Sequence, residues 1–232
     1  MVQVQRSRLI NARWSTLLYR LNVLKVFHTT LTASAWTPGN SIYPNTAELF
    51  RIPAVRNLID SVPNTSQFTQ GNLAPIYNDF PNLMHWWRQD IELKLIDLIC
   101  EKPFNREAID REYVFNLATS LFSCSKCSRF LRYLRVVMHA CATLPFLREN
   151  SDLDTILLTS TLGETFWNLN GCITVNVVHV ALLVRLLIMA NLTWATTTIQ
   201  ELNARNPIFE CIPCNDERMG RATMTWARVV CP

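Results

Sequence analysis

Closely spaced cysteines and a histidine constrain this chain more than any other feature of its sequence. Residues 124 to 141 read CSKCSRFLRYLRVVMHAC, and residues 211 to 214 read CIPC. In a C-x2-C pair, a tight turn places both sulfurs on one side of the backbone, where they can fill two corners of a tetrahedron around Zn²⁺ at about 2.3 Å. Two such pairs predict zinc-binding turns that tie together parts of the fold distant in sequence.

The ligands that complete each tetrahedron are less evident. His139 and Cys141 follow the first pair, but residues two apart point to different sides of a helix or strand, so both can bind one ion only where the backbone is irregular. Cys231 follows the second pair without an evident fourth ligand. Three arrangements stay open: one four-cysteine site built from both pairs, a site of the first pair with His139 and Cys141 beside an incomplete second site, or no metal.

The candidate ligands of a structural zinc ion are therefore Cys124, Cys127, His139, Cys141, Cys211 and Cys214. A C-x2-C pair also occurs in thioredoxin-like redox sites, where a strand precedes the motif and a helix N-terminus supports the thiolate. Here a predicted helix precedes Cys124, and Cys211 lies near the tail. We expect metal binding in preference to redox chemistry.

Composition predicts a globular chain in a reducing compartment. Of the 232 residues, 49% are apolar and 17% are charged, which excludes a disordered chain and allows one sizeable domain or two small ones. The eight cysteines would also suit a secreted disulfide framework. However, the first twenty residues carry four arginines and lack the apolar core of a secretory signal. We expect reduced thiols in the cytoplasm or nucleus.

The N-terminal residues predict a helix that docks onto a core. Ile10, Trp14, Leu17, Leu21 and Leu24 recur at spacings of four and three, which is the period of one helix face. The same acid-free, arginine-bearing stretch also resembles a mitochondrial transit peptide. The docking helix is preferred because its apolar stripe is sustained and bulky.

Further helices are predicted along the chain. One follows Pro81, one covers residues 105–122, and one covers about 176–191. A short helix follows Thr198, which forms a capping box with Glu201 three residues on.

The expected fold is mostly α. We predict an irregular helical domain with one short β-hairpin near residues 155 to 175 and Cys/His turns of the zinc-knuckle kind. Residues 1–60 would supply the N-terminal amphipathic helix and a proline-marked connector. Residues 61–232 would supply the helical domain with both C-x2-C turns, and the two parts are expected to form one folded unit.

The apolar segment 173–190 is expected to be a buried helix and not a membrane span. It contains Asn176, His179 and Arg185. An arginine in the middle of a bilayer costs about 2.5–3.5 kcal/mol on insertion scales.

Seven blocks occur in a familiar order across most of the chain: RSRLINARWSTLLYRL, ELFRIPAVRNLID, HWWRQDIELKLIDLI, NLATSLFSCSKC, LRVVMHAC, TTTIQELNARNPIFECIPC and MTWARVV. Together they resemble the C-terminal region of a large group of uncharacterised basidiomycete fungal proteins, many of which carry an F-box near the N-terminus. The resemblance implies a C-x2-C pair followed by a His and a Cys, then a second C-x2-C pair, a Trp and a terminal His. The matching residues of this chain are Cys124, Cys127, His139, Cys141, Cys211, Cys214 and Trp226.

This chain departs from the pattern of that group in two places. Cys231 lies near the position of the family's last His, and the F-box has no counterpart. We therefore expect a shortened relative or a fragment.

The preferred function is a non-catalytic, zinc-stabilised protein-interaction domain, which the resemblance implies would be the substrate-recognition part of an F-box-type adaptor. Trp86, Trp87 and Trp226 are candidate interface anchors. For Trp87 a place in the core is favoured, because it lies on the apolar stripe of its helix.

The alternative is a zinc-knuckle protein that binds nucleic acid. Arg129, Arg132 and Arg135 recur every three residues beside Phe130 and Tyr133, as in a phosphate-contacting patch. The net charge of +4 is small for a polyanion-binding chain. An enzyme is not expected, because the sequence contains no Gly-rich phosphate loop, no G-x-S-x-G and no H-E-x-x-H.

Overall fold

The secondary structure comes from a computed structural model of the protein, which describes residues 2–34, 42–100, 113–147, 151–215 and 220–230. Within these residues the chain is mostly α, as predicted, with two small antiparallel sheets. The described helices are α1 (Val2–Ser34), α2 (Thr46–Arg51), α3 (Pro53–Ser61), α4 (Ala74–Cys100), α5 (Leu153–Leu162), α6 (Val177–Met189), α7 (Ile199–Arg205) and α8 (Trp226–Val230). The described strands are β1 (Phe122–Cys124), β2 (Phe130–Leu131), β3 (Ile173–Val175), β4 (Ile208–Glu210) and β5 (Thr223–Thr225).

The chain divides into two compact units. The first comprises Met1–Glu92 and Met138–Gly171, and the second comprises Leu93–Val137 and Cys172–Pro232. The division into residues 1–60 and 61–232 that the sequence suggests stays a prediction.

Helix α1 docks in the first unit as its apolar stripe predicts. Leu21 and Leu24 are fully buried, and Leu31 continues the same face two turns later. The Ile10 side chain lies outside the described residues. Arg20 is also buried and donates to the carbonyl oxygen of Ile59 at 2.7 Å, near the end of α3, where helix carbonyls lack intrahelical partners.

Helix α4 begins earlier than predicted. It starts at Ala74, so Pro81 lies inside the helix instead of before it. A proline inside a helix removes one backbone hydrogen bond and costs about 3 kcal/mol. Ile76, Phe80 and Leu83 are buried at spacings of four and three, so the packing of this face offsets that cost.

The predicted helix over residues 105–122 is wrong where the structure describes it. Residues 101–112 lie outside the described residues, and Val114–Asn116 forms a 3-10 turn that leads into strand β1. The apolar residues of this stretch have helical spacing, but Thr119 and Ser120 between them are buried too. Because residues 117–122 are all buried, their backbone groups bond to other parts of the chain, as Ala118 N does to Thr197 O at 2.9 Å.

The hairpin predicted near residues 155 to 175 is also wrong in position. Helix α5 occupies the first part of that stretch, capped by Asp152 at its start and ended by Gly163 in the left-handed region at φ 69°. Thr and Ile favour strands only weakly, so the two caps decide the local structure. One hairpin lies earlier, where β1 and β2 flank the first C-x2-C pair, and β3 pairs with the other edge of β1. A second antiparallel pair, β4 and β5, lies later.

Helices α6 and α7 confirm the sequence-based prediction. Asn176 caps α6 by accepting a hydrogen bond from His179 N at 3.1 Å. Thr198 caps α7 by accepting from Glu201 N at 3.1 Å, and Asn206 ends that helix in the left-handed region. No helix in the described part of the chain is both long and apolar enough to cross a membrane.

The cap of α5 makes a pH-dependent contribution to stability. Hydrogen bonds from the backbone and side chain of Thr155 hold the pKa of the Asp152 carboxyl below its ordinary value of 3.8. Replacing this cap by alanine should cost about 1 kcal/mol at neutral pH. A carboxyl whose folded pKa is depressed stabilises above its unfolded pKa and loses that effect as the pH falls through the folded value.

We therefore expect the stability gap between the wild type and Asp152→Ala to narrow as the pH falls below about 4. Urea unfolding at pH 7 and in acid measures this gap. Asp152→Asn keeps a capping oxygen but also lacks the titrating group, so its smaller gap from the wild type should narrow by the same amount. The difference in stability between Asp152→Asn and Asp152→Ala should not depend on pH in this range. An Asp152→Ala gap that is constant with pH would contradict the proposed cap.

Candidate metal centre

Four of the six predicted ligands form one group in the structure. The sulfurs of Cys124, Cys127 and Cys141 and a ring nitrogen of His139 all lie within 4.8 Å of one another. Around a tetrahedral zinc ion with bonds near 2.3 Å, the ligand atoms lie about 3.8 Å apart. The group therefore has nearly the size of a zinc ligand shell, and the donor set of three thiols and one imidazole suits that ion. Of the three arrangements considered, the group matches the second, in which His139 and Cys141 complete the first C-x2-C pair.

The first two ligands are positioned by the tight loop between β1 and β2. Cys124 is the last residue of β1, and its N–H donates to Arg129 O at 3.0 Å. Its carbonyl oxygen accepts from Ser128 N at 2.8 Å, which closes the loop around Cys127. Ser128 adopts a φ of 57°, in the left-handed region that non-glycine residues rarely enter. This reversal returns the chain to β2 and leaves both thiols at the loop.

A third strand supports the same loop. Ser123 pairs with Phe130 of β2 on one side and with Thr174 of β3 on the other. Beyond the end of β1, Ser125 N donates to Cys172 O at 2.9 Å. The backbone around Cys124 is thus held from both sides, and its side chain is 1% exposed.

The other two ligands converge because the backbone between them is irregular, which is the condition that their spacing imposes. His139 is extended, at φ −72° and ψ 116°, and the next four residues form a 3-10 helix that includes Cys141. The change from extended to helical backbone turns both side chains toward one ion position. A regular helix or strand would separate them.

The segment that carries these two ligands is fixed by bonds to its carbonyl oxygens. Asn170 Nδ2 donates to Cys141 O at 2.9 Å, and Asn168 N donates to Ala142 O at 2.8 Å. Thr165 N donates to Thr143 O at 3.1 Å. The ligand-bearing turn is therefore held by the loop that follows α5.

A zinc ion bound here would have the ligand set of a closed structural site. Three thiolates and a neutral imidazole fill all four positions that zinc uses in structural centres, whereas catalytic zinc keeps one position for water or substrate. Cys124 is buried, His139 and Cys141 are half-buried, and Cys127 is exposed. The group therefore extends from the buried Cys124 to the exposed Cys127 at the protein surface.

The second C-x2-C pair is not part of this group. The Cys211 and Cys214 sulfurs lie 2.7 Å apart on an exposed turn, and the hydrogen bond between them raises the pKa of the Cys214 thiol. Among the described residues no group of three or more ligand atoms includes either cysteine, so the two pairs do not share one ligand group. Cys231 lies outside the described residues, and a metal at Cys211 and Cys214 stays a prediction.

The three arginines that suggested a nucleic-acid contact lie in different environments. Arg129 and Arg135 are exposed. Arg132 instead donates to the carbonyl oxygens of Ala118 and Ser120 and so fastens the segment that leads into β1. Its spacing suggested a phosphate contact, and nothing in the sequence marked its role in the fold.

The aromatic residues between these arginines also pack within the protein. The Phe130 ring contacts the His179 ring with centroids 4.3 Å apart. The Tyr133 ring stacks on Phe115 at 4.5 Å. Neither pair is arranged as an open platform for nucleic-acid bases.

The three tryptophans proposed as interface anchors lie in different environments. Trp87 is 3% exposed, as its place on the apolar stripe predicts, and Trp226 is 7% exposed. Trp86 is 43% exposed. Of the three, only Trp86 offers a substantial indole surface to a partner.

Comparison of the chain with models of protein families, with curated proteins and with solved structures found no match. The resemblance to fungal F-box proteins stays a prediction. The evidence for a metal site is therefore the geometry of the ligand group.

Loss of one ligand should remove the metal and weaken the fold. We expect protein purified without chelator to carry about one zinc per chain, and Cys124→Ser to carry almost none and to melt at a lower temperature, because structural zinc contributes folding free energy directly. Elemental analysis and thermal unfolding measure the two effects. Cys211→Ser is the matched control and should keep the zinc, so an unchanged zinc content in Cys124→Ser would contradict the site.

The left-handed residue of the loop gives an independent test. Ser128→Val should destabilise the protein by about 1–2 kcal/mol and weaken zinc binding, because a β-branched residue is strongly disfavoured at positive φ. Ser128→Gly should be neutral or stabilising, since glycine adopts this conformation without strain. Zinc affinity from chelator competition, together with urea unfolding, compares the two. Equal behaviour of both variants would show that the loop does not have this backbone.

Proposed function

We propose that the protein is a non-catalytic protein-interaction domain whose fold is stabilised by a structural zinc ion. The observation that carries this proposal is the group of Cys124, Cys127, His139 and Cys141, in which the chain itself provides all four donors. A zinc ion held in this way has no free position at which to bind a substrate or activate water. Its contribution would be folding free energy, because a structural zinc ion binds only the folded chain.

The exposed surface of the second unit supports a binding role. Val178, Ile188 and Met189 on α6 and Ile208 and Ile212 beyond it are large apolar side chains that are more than half exposed. On α6, Val178 and Met189 lie on one helical face, with the exposed Arg185 between them. Apolar side chains that share an exposed face are typical of surfaces that contact other proteins.

We further propose that the domain serves as the substrate-recognition part of an F-box-type adaptor. The ordered sequence blocks support this, as does the convergence of four cysteine and histidine residues that the resemblance singles out. In this proposal the protein acts in a reducing compartment, the cytoplasm or nucleus, where thiolates remain available to zinc.

Cobalt substitution tests whether the centre is closed. We expect one Co²⁺ per chain to bind with the visible absorption of a tetrahedral, thiolate-rich site. Cyanide or azide should leave that spectrum unchanged, because the protein donors fill every position. Cys124→Ser, which would leave one corner open, is the positive control for a spectral response in any Co²⁺ it retains. A response of the wild-type spectrum to either anion would contradict a purely structural centre.

A further inference from the structure

We propose that the exposed cations around the zinc loop form a docking surface for an acidic segment of a partner protein. Lys126, Arg129 and Arg135 make up this surface, which we call the basic rim. The inference rests on the proposed function, since it names the kind of partner that a zinc-stabilised interaction domain would bind.

The first observation is the absence of acidic residues from the segments that build this part of the second unit. Residues 113–137 and 172–200 contain no Asp or Glu, although they contain Arg185 and Arg132 in addition to the rim. These segments include β1, β2, β3 and α6. Since β3 pairs with β1 and His179 of α6 contacts Phe130 of β2, the elements packed beside the loop contribute no carboxylate.

The second observation is that the rim is available. All three side chains are exposed, and in the described part of the chain no ion pair joins any of them to a carboxylate. Arg205 and Arg221 elsewhere in the second unit are, by contrast, paired with Glu201 and Glu210. A zinc ion with three thiolates and a neutral imidazole carries a net charge of about −1, which offsets only part of the rim. The surface therefore retains positive charge for a partner.

The third observation favours a peptide over nucleic acid. Single-stranded nucleic acids bind basic surfaces on which exposed aromatic rings stack with bases. Here Phe130 packs against the tilted His179 ring, and Tyr133 stacks on Phe115. Val178, next to the His179–Phe130 contact, is 76% exposed and offers an apolar contact of the kind a peptide side chain fills. Cations beside an exposed apolar residue match an acidic segment that also contains apolar residues.

A labelled peptide measures this binding directly. The probe is a short synthetic peptide of glutamate and leucine with a fluorescein label, and its reference is the same peptide with glutamine in place of glutamate. We expect fluorescence anisotropy to show that the zinc-loaded protein binds the acidic peptide at least about tenfold more tightly than the reference at low salt. Binding should weaken strongly in about 1 M salt, where the screening length is about 3 Å.

Two triple variants with the same change in net charge separate the rim from a general charge effect. Lys126→Glu/Arg129→Glu/Arg135→Glu should weaken peptide binding at least about tenfold, and Arg205→Glu/Arg221→Glu/Arg228→Glu should change it less than about twofold. All six positions are exposed. If the rim variant does not retain zinc, Arg129→Gln/Arg135→Gln removes two charges without reversing them and should show a smaller loss in the same direction.

Zinc content and melting temperature, measured on the same samples, keep this inference apart from the proposed function. A zinc-loaded wild type that does not bind the acidic peptide, or equal losses in the two triple variants, would overturn the docking surface and leave the structural zinc untouched. Oligouridylate that binds more tightly than the peptide and loses binding in the rim variant would also overturn it and would favour the nucleic-acid alternative. The proposed function would fail in different measurements: the cobalt spectrum would respond to added anions, or the purified chain would contain no zinc.

Discussion

The site depends on one backbone constraint, which is the closed loop between β1 and β2. The N–H and the carbonyl of Cys124 are both bonded within this loop, so the strand end cannot rotate and the direction of the thiol is fixed. The left-handed Ser128 then reverses the chain within a few residues. With His139 and Cys141 brought to the same place, three thiols lie within 4.8 Å of one another. Three thiolates this close would repel strongly unless they were protonated or bound to a cation, and a zinc ion in this group would supply that cation.

Local signals predicted much of the fold. An apolar stripe was sufficient for α1, an apolar run for α6 and a capping box for α7. The caps Asn176 and Thr198 stand where α6 and α7 begin. Prediction failed where tertiary packing overrides local preference. Pro81 marks a helix start in isolation, but buried residues before it extend α4 back to Ala74. Residues 113–122 have helical spacing, but residues 117–122 are all buried and Ala118 bonds to distant backbone, so periodicity carries no information about their conformation.

The candidate site was predictable in its residues and not in its arrangement. Spacing identified the first pair and the two ligands that follow it, because zinc requires thiols and imidazoles in tight turns. Spacing could not decide among the three arrangements, since that choice depends on the irregular backbone between His139 and Cys141. The positive φ of Ser128 and the use of Arg132 to bind carbonyl oxygens also lay beyond sequence patterns. Both features depend on the folded structure around the turn, so no local sequence pattern marks them.

The central claim is that one zinc ion is bound by three sulfurs and one nitrogen. X-ray absorption at the zinc edge of the purified protein measures this most directly, because it reports the number and type of the ligand atoms and their distances. The account predicts about three sulfurs near 2.3 Å and one nitrogen near 2.0–2.1 Å. A shell of four sulfurs would indicate that the two C-x2-C pairs share one ion, and a shell of only nitrogen and oxygen would place zinc elsewhere. Either result would contradict the site built from Cys124, Cys127, His139 and Cys141.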